Sequence, residues 1–379
     1  MPLVGVRDVQ DKLRGVTVLL RSSLNVPIVD GRVANPFRLA RAAETIQFLN
    51  TCGAKTIVVS HIDGPAGVSL APVHAYMRTL GLPLGFVPDI SGESARTAAR
   101  ALQEGGTLLL ENIRRDPGEE KNDEQFARKL ASLADVYVND DFAVSHRKHA
   151  SIVGVPKFLP SYAGVQFMAE VEGLSKALNP KSPSLALLGG AKFVTKEPLI
   201  RALLAKYDQV FIGGALADDF LKAKGFEVGR SLVSDSPNLK DLLQNSKIIL
   251  PEDVTVMGVN GRDVKAVSDI LSSEVIYDIG PTTLAKLEPF IQKARTVLWN
   301  GPMGNFEQGF REMTEALARL VAGADGVSVV GGGDTVAAIQ RLGLNTKFEF
   351  LSTAGGAMLE FLATGTLPGI RALLESRTL

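Results

Sequence analysis

"VSVVGGGDTVAAI", residues 327–339, joins three unlike pieces. A β-branched apolar run comes first, three glycines follow, and Asp334 and Thr335 open a segment with helical spacing. Gly331, Gly332 and Gly333 ease unusual backbone angles and let another group approach closely. A helix that begins there adds unpaired N–H groups and the positive end of a dipole. The junction suits a phosphate, with Asp334 placed for a metal ion. A plain strand-to-helix turn capped by Asp334 is the alternative reading. The loop follows neither GxGxxG nor the Walker pattern, so alone it points to no particular chemistry.

Outward from this junction the same pattern recurs. In the second half, "LALLGG" (185–190), "QVFIGG" (209–214) and "TVLWNG" (296–301) also end in glycine, and "KIILP" (247–251) and "FEFLS" (348–352) read as further strands. In the first half, "VTVLL" (16–20), "KTIVV" (55–59), "GTLLL" (106–110) and "DVYV" (135–138) are apolar without alternation, as expected of strands buried on both faces. Between them lie amphipathic stretches such as 37–50, where Leu39, Ala43, Ile46 and Leu49 share one helical face, and 123–134. Alternating strands and helices predict a parallel sheet wrapped by helices. The alternation pauses at "VPKFLPSYAG" and a helical stretch, 165–178. The expected fold is α/β: two doubly wound parallel-sheet, Rossmann-like domains joined by a hinge helix. The first domain spans 1–160, the linker helix 161–178, the second domain 179–357, and a tail at 358–379 returns to the first domain.

Composition narrows the function. The 379 residues are 45% hydrophobic and carry 41 basic against 41 acidic side chains, so overall charge calls for neither nucleic acid nor an anionic membrane. A single cysteine, Cys52, rules out an internal disulfide and suits a reducing cytoplasm. The first fifteen residues, with early charges and no apolar stretch, do not read as a secretory signal. No apolar run nears the ~20 residues of a membrane span.

The second half presents an anion site at the strand ends, where open α/β sheets bind ligands. Lys192 and Lys196 follow the Gly189–Gly190 pair, and a mobile ammonium suits a moving phosphate oxygen. "WNGPMGNFE" sets Asn300, Pro302 and Glu307 around another glycine turn, Glu307 being able to hold ribose hydroxyls. The first half instead gathers cations and imidazoles after its strands: Arg21, Arg38, His61, Arg114, and Arg147 between His146 and His149. Guanidinium groups grip carboxylates and phosphates bidentately, so this half reads as a site for a small, strongly anionic molecule. A nucleotide-like site and a small-anion site point to phosphoryl transfer, which needs positioning and charge neutralisation. A carboxylate acceptor, with a reference pKa of roughly 3.5–4.3, is already ionised and needs no general base. The chain has no GxSxG, CxxC or HxxEH to suggest a hydrolase.

These residues together resemble phosphoglycerate kinase along essentially the whole chain. The matching stretches include "NVP" with Arg38, "LLLENIR", "EEKND", "HRKHAS", "GGAK" with Lys196, "WNGPMG", "GGGDT" and "LEFLATGTLPG". The resemblance implies a cytoplasmic, monomeric hinge-bending enzyme of glycolysis, gluconeogenesis or carbon fixation, with no nucleic-acid or membrane partner. It would bind 3-phosphoglycerate or 1,3-bisphosphoglycerate in the first domain and Mg²⁺ with ATP or ADP in the second. On that match Arg21, Ser23, Asn25, Arg38, His61, Arg114 and Arg147 are substrate-site residues. Gly190, Lys192, Lys196, Gly213, Asn300, Pro302, Glu307, Gly331, Gly332, Gly333, Asp334 and Thr335 are nucleotide-site residues, Asp334 serving the metal. Arg38, Lys196, Gly332 and Gly333 would stabilise the transferring group. The chain also departs from the family. Ser23 stands for a usual aspartate, and "SHIDGP" carries Asp63 and Gly64 where the family has a substrate-site arginine at the second position. Asp218 and Asp219 replace an aromatic and a small polar residue near the base. Two further readings therefore stand beside the kinase: a non-catalytic or weakly active nucleotide-binding paralogue, and a kinase for another small acid.

Overall fold

Strands with apolar residues on both faces need a helix layer on each side, and the chain supplies it twice. The structure, a computed structural model, describes residues 2–65, 67–191, 193–234 and 239–376. It divides into one unit of Met1–Val171 with Thr366–Leu379 and a second of Glu172–Gly365. The first holds a six-stranded sheet ordered Leu84–Val87, Thr107–Leu110, Lys55–Val59, Thr17–Ser22, Val136–Asp140, Ser161–Ala163. All five pairings are parallel, and Thr107–Leu110 and Val136–Asp140 are buried throughout. The second holds another, ordered Ile248–Ile249, Gln209–Ile212, Ser184–Leu188, Thr296–Asn300, Val327–Gly331, Phe350–Leu351, again parallel.

Strand order fixes where ligands can enter. In the second sheet the chain leaves Ser184–Leu188 towards one edge and returns at Thr296–Asn300 to build the other. The crevice of such a sheet opens outside the carboxyl ends at that reversal, here at Gly189–Gly190 and Gly301–Pro302. In the first sheet the reversal lies between Thr17–Ser22 and Val136–Asp140, with Arg21 and Asp141 at the strand ends.

The structure differs from the sequence expectation in several places; the edge strand Leu84–Val87 and the short hairpin of Ile28–Val29 with Arg32–Val33, for instance, were not expected. Residues 161–163, expected in the linker helix, form an edge strand, and the helix runs Val165–Leu178. Gly164 separates them because a Cβ there would overlap Asp140. Asp140 Oδ1 in turn accepts from the Gln166 and Phe167 N–H groups at the helix start (2.8 and 3.1 Å). The tail divides: Gly356–Thr364 stays with the second unit, and only Thr366 onward belongs to the first. There Pro368–Glu375 buries Ile370 and Leu373, while Gly369 donates to Ser145 O at 2.8 Å. A three-stranded antiparallel sheet, Asp253–Gly258, Gly261–Ala266 and Val275–Ile279, was not expected at all. Its middle segment is solvent-facing and too polar for an apolar-run search to detect, although "VNG" at 259–261 carries a hairpin turn signal.

Candidate active site

In the first unit a buried network sets the floor of the cation cluster. Arg21 is 1% exposed. Its Nη1 donates to Asp141 Oδ2 and Ser22 O (both 2.8 Å) and its Nε to Ser151 Oγ (3.0 Å). Ser151 Oγ in turn donates a hydrogen bond to Oε1 of buried Glu119 at 2.6 Å. Arg21 Nη2 meets His61 Nδ1 at 2.9 Å. Arginine can only donate, so Nδ1 accepts and the ring proton sits on Nε2. Burial, reinforced by Arg21, Arg114, Arg147 and Arg38, holds His61 far below the usual imidazole range. His61 is therefore a neutral donor. Arg21 orients it, with four of its own donors already used. His149, 3.8 Å from Glu119, falls to about 4, first by burial and then by Arg114.

Above this floor the predicted residues converge on one another. Arg38 Nη1 donates to Asn25 O at 2.7 Å. Asn25 Nδ2 donates to Asp63 Oδ2 at 2.7 Å and its Oδ1 accepts from the Asp63 N–H at 3.0 Å. Asp63 Oδ1 is ion-paired with Arg114, whose Nε lies 3.3 Å from Glu120. Arg147 is exposed, and no ion pair holds it among the described residues. Ser23 is half-buried beside them. Two neighbouring arginines do not replace the missing cation. Arg115 is committed to Gly67 O, Val68 O and Glu111, and Arg41 reaches Gln166 Oε1 at 3.3 Å.

In the second unit the glycine turns pack backbone against backbone. Gly190 N–H donates to Pro302 O at 3.0 Å and Gly189 N–H to Asn300 O at 2.9 Å. A Cβ on Gly301 would come within 2.6 Å of Gly189 O, so this contact forbids side chains. Trp299, fully buried in the central strand, secures the turn by donating Nε1–H to Gly301 O at 2.9 Å. Lys196 projects into this wall. It is 7% exposed and donates to Gly189 O, and desolvation alone pushes its ammonium down to about 8. Lys192 lies outside the described residues.

Gly332 takes φ +104°, which directs the chain from Val327–Gly331 into the helix Gly333–Arg341. A Cβ on Gly333 would meet nothing within 4 Å among the described residues. Thr335 is fully buried, yet its Oγ1 has no hydrogen-bond partner among the described residues, and Asp334 is exposed one residue earlier. A cleft of about 360 Å³ has Gly190, Gly214, Asp218, Pro302, Glu307 and Asp334 in its lining. Gly213 accompanies Gly214 at the next strand end, and buried Asn300 meets Met358 Sδ at 3.7 Å. Asp218 is fully buried, with neither oxygen hydrogen-bonded among the described residues, and burial, then Asp219, raises its carboxyl well above the usual range.

Sequence reasoning missed Asp141, Ser151 and Glu119, which hold Arg21. An acidic pair directly after a strand, "NDD" at 139–141, opposite a strand-end arginine was the available signal.

With both strand-end sites in place, comparison with known proteins is decisive. The phosphoglycerate kinase family model matches residues 6–365. The chain belongs to the phosphoglycerate kinase family. It is 44% identical to the phosphoglycerate kinase of Moorella thermoacetica over 383 residues, 96% of this chain and 98% of that one. It is 44% identical to that of Rhodospirillum centenum over 386 residues, 95% and 96% of the two chains. Among solved structures, phosphoglycerate kinase from Coxiella burnetii superposes with a TM-score of 0.85 at 36% identity over 99% of both chains. That from Pyrococcus horikoshii gives 0.87 at 31% identity over 98% of both. Full-length similarity to several curated kinases does not favour the non-catalytic or other-acid readings.

Proposed function

We propose that this chain is a phosphoglycerate kinase, a phosphotransferase with a carboxyl group as acceptor. It transfers a phosphoryl group reversibly between 1,3-bisphosphoglycerate and ADP, giving 3-phosphoglycerate and ATP. The observation that carries this reading is the buried Lys196 ammonium behind the Gly190–Pro302 wall, in a chain similar to curated phosphoglycerate kinases from end to end.

In the first unit Arg38, Arg114 and Arg147 supply the positive charge for an acidic phosphoester, and neutral His61 offers its Nε2–H. None of these groups has to take a proton, because the attacking carboxylate is already ionised. In the second unit the Gly333–Arg341 helix start, its N–H groups and the Thr335 hydroxyl, unpaired among the described residues, suit the nucleotide phosphates. Glu307 lies on the same cleft for the ribose. In the second unit Lys196 follows the γ-phosphoryl oxygens, and in the first Arg38 adds positive charge for the acidic phosphoester. Charge carried by the three equatorial oxygens is thereby balanced without covalent help.

Magnesium fits the donor set. Mg²⁺ is commonly held by one or two carboxylates together with substrate phosphates, and exposed Asp334 at the helix start offers one such oxygen pair. When bound there, the ion neutralises phosphate charge. Among the described residues no cluster of three potential ligands forms a protein-only metal cage, and no single helix is long and apolar enough to cross a membrane. A cytoplasmic monomer in glycolysis or its reversal, with small molecules as its partners, completes the proposal.

The test is a coupled assay with ATP, Mg²⁺ and 3-phosphoglycerate, run beside Lys196→Ala. Turnover well above that variant is expected. Turnover equal to it refutes the kinase.

A further inference from the structure

The cleft of the second unit carries an aromatic ring that neither phosphates nor a ribose need. Tyr277 is half-buried and lines that cleft with Leu232, Ile276, Asn305 and Glu307. Its ring stacks on buried Phe310, with centroids 4.6 Å apart and planes 12° from parallel. Arg262 lies over the same Phe310 ring at 5.0 Å and is held by Glu312 at 2.8 Å. Two groups so close cannot share one face of a ring, so Phe310 is sandwiched between Arg262 and Tyr277. Backbone bonds fix this column to the cleft turn. The Asn305 N–H donates to Tyr277 O at 2.8 Å, and the Phe310 N–H to Asn305 O at 3.0 Å.

We propose that Tyr277 is a nucleobase-binding residue, its ring the platform on which the flat base of the nucleotide stacks. The inference rests on the reading of this cleft as the nucleotide site.

Three features support the assignment. Phe310 covers one face of the Tyr277 ring, which leaves the other face and the edge to form the cleft wall. The column of Arg262 and Phe310 fixes the ring in advance, so little side-chain freedom is lost when a ligand arrives. A second apolar group stands in the same wall. Leu232 is 62% exposed, and Ser231 Oγ next to it accepts from the Ile276 N–H at 2.8 Å, which keeps Leu232 beside the strand that carries Tyr277. At about 360 Å³ the cleft is of small-ligand size, and such pockets combine apolar and aromatic walls with a few polar groups. A base set on the ring removes apolar surface of both from water, and offset parallel stacking is a favoured aromatic geometry.

Calorimetry with ADP and with pyrophosphate separates the nucleoside from the phosphates. Tyr277→Ala should weaken ADP roughly five- to a hundredfold, the worth of one base–aromatic stack, and leave pyrophosphate within about twofold. Tyr277→Leu keeps apolar volume under the turn, which guards against loss of the fold, and should recover only part of the affinity. Tyr277→Phe retains the ring and should restore ADP binding. In the ADP complex of the unaltered chain, nuclear Overhauser effects should join adenine H2 or H8 to the Tyr277 ring protons. Equal ADP affinity in the unaltered, Ala and Leu chains overturns the proposal. A loss shared by pyrophosphate overturns it too, because Tyr277 would then be a support of the turn, and so does an ADP complex without those Overhauser effects. ADP that fails to bind the unaltered chain overturns the nucleotide reading of the cleft together with this proposal, whereas equal binding to the unaltered and Ala chains overturns this proposal alone.

Discussion

Replacing Lys196 with methionine should make this chain more stable and far slower. The ammonium is 7% exposed, and among the described residues its one acceptor is Gly189 O. Desolvation moves its pKa from 10.5 to about 8. A tenfold change in a protonation equilibrium corresponds to about 1.4 kcal/mol, so burial of the charge disfavours the folded state by up to ~3 kcal/mol. Methionine has similar length, no charge and an adaptable shape. It leaves Gly189 O without a donor, a loss of about 1–2 kcal/mol. The net gain is therefore ~1–2 kcal/mol, or a Tm rise of roughly 2–8 °C for a unit of this size. The sign depends on pH in a checkable way. Between about pH 8 and 10.5 the unfolded chain binds more protons than the folded one, so the unaltered protein gains stability as pH rises through that window. The advantage of methionine is full below about pH 8 and fades towards 10.5. Turnover should move the other way. Loss of one charge-stabilising donor removes on the order of 10²–10³ in rate. Thermal unfolding at pH 7 and pH 10 and a coupled assay at pH 7 test both halves. A variant with lower Tm and turnover within threefold would refute the reasoning, because Lys196 would then be a structural anchor.

Two more outcomes are expected. Asp278 is 2% exposed and burial raises its carboxyl to about 7; stability from this group is full below about 3.8 and lost as pH rises through about 7, so Asp278→Asn should flatten the fall in stability between pH 5 and 8. Asp140, also raised to about 7 by burial, keeps part of that slope, and an unchanged slope in Asp278→Asn would mean that Asp278 is ionised throughout. Gly64→Arg should lower KM for 3-phosphoglycerate by restoring a cation, at a loss of around 1 kcal/mol in stability, since its Cβ would lie 3.3 Å from Val68 Cγ2 at a φ of +157°; an unchanged KM would place the phosphate elsewhere.

Local pattern made much of this protein legible. Buried parallel strands announce themselves as unbroken apolar runs, and the strand-end glycines mark where backbone must approach backbone, as at Gly189 and Gly301. The antiparallel sheet at 253–279 was less visible, because a half-exposed strand such as Gly261–Ala266 has no apolar run to find. Residues 161–163 read as helix because a short edge strand and a helix start look alike without their neighbours.

The sequence by itself determined the fold class and the family, since these depend on periodicity and on motifs that are local. Only the tertiary structure decided what each charge does. Arg21 and Arg114 are both strand-end arginines in sequence, yet one is spent on Asp141, Ser151 and His61 and the other faces Asp63 and Glu120. Their partners are between 6 and 130 residues away along the chain. A side chain's charge is written in the sequence, but burial and pairing across such distances decide whether it orients a neighbour, blocks a site or waits for a ligand.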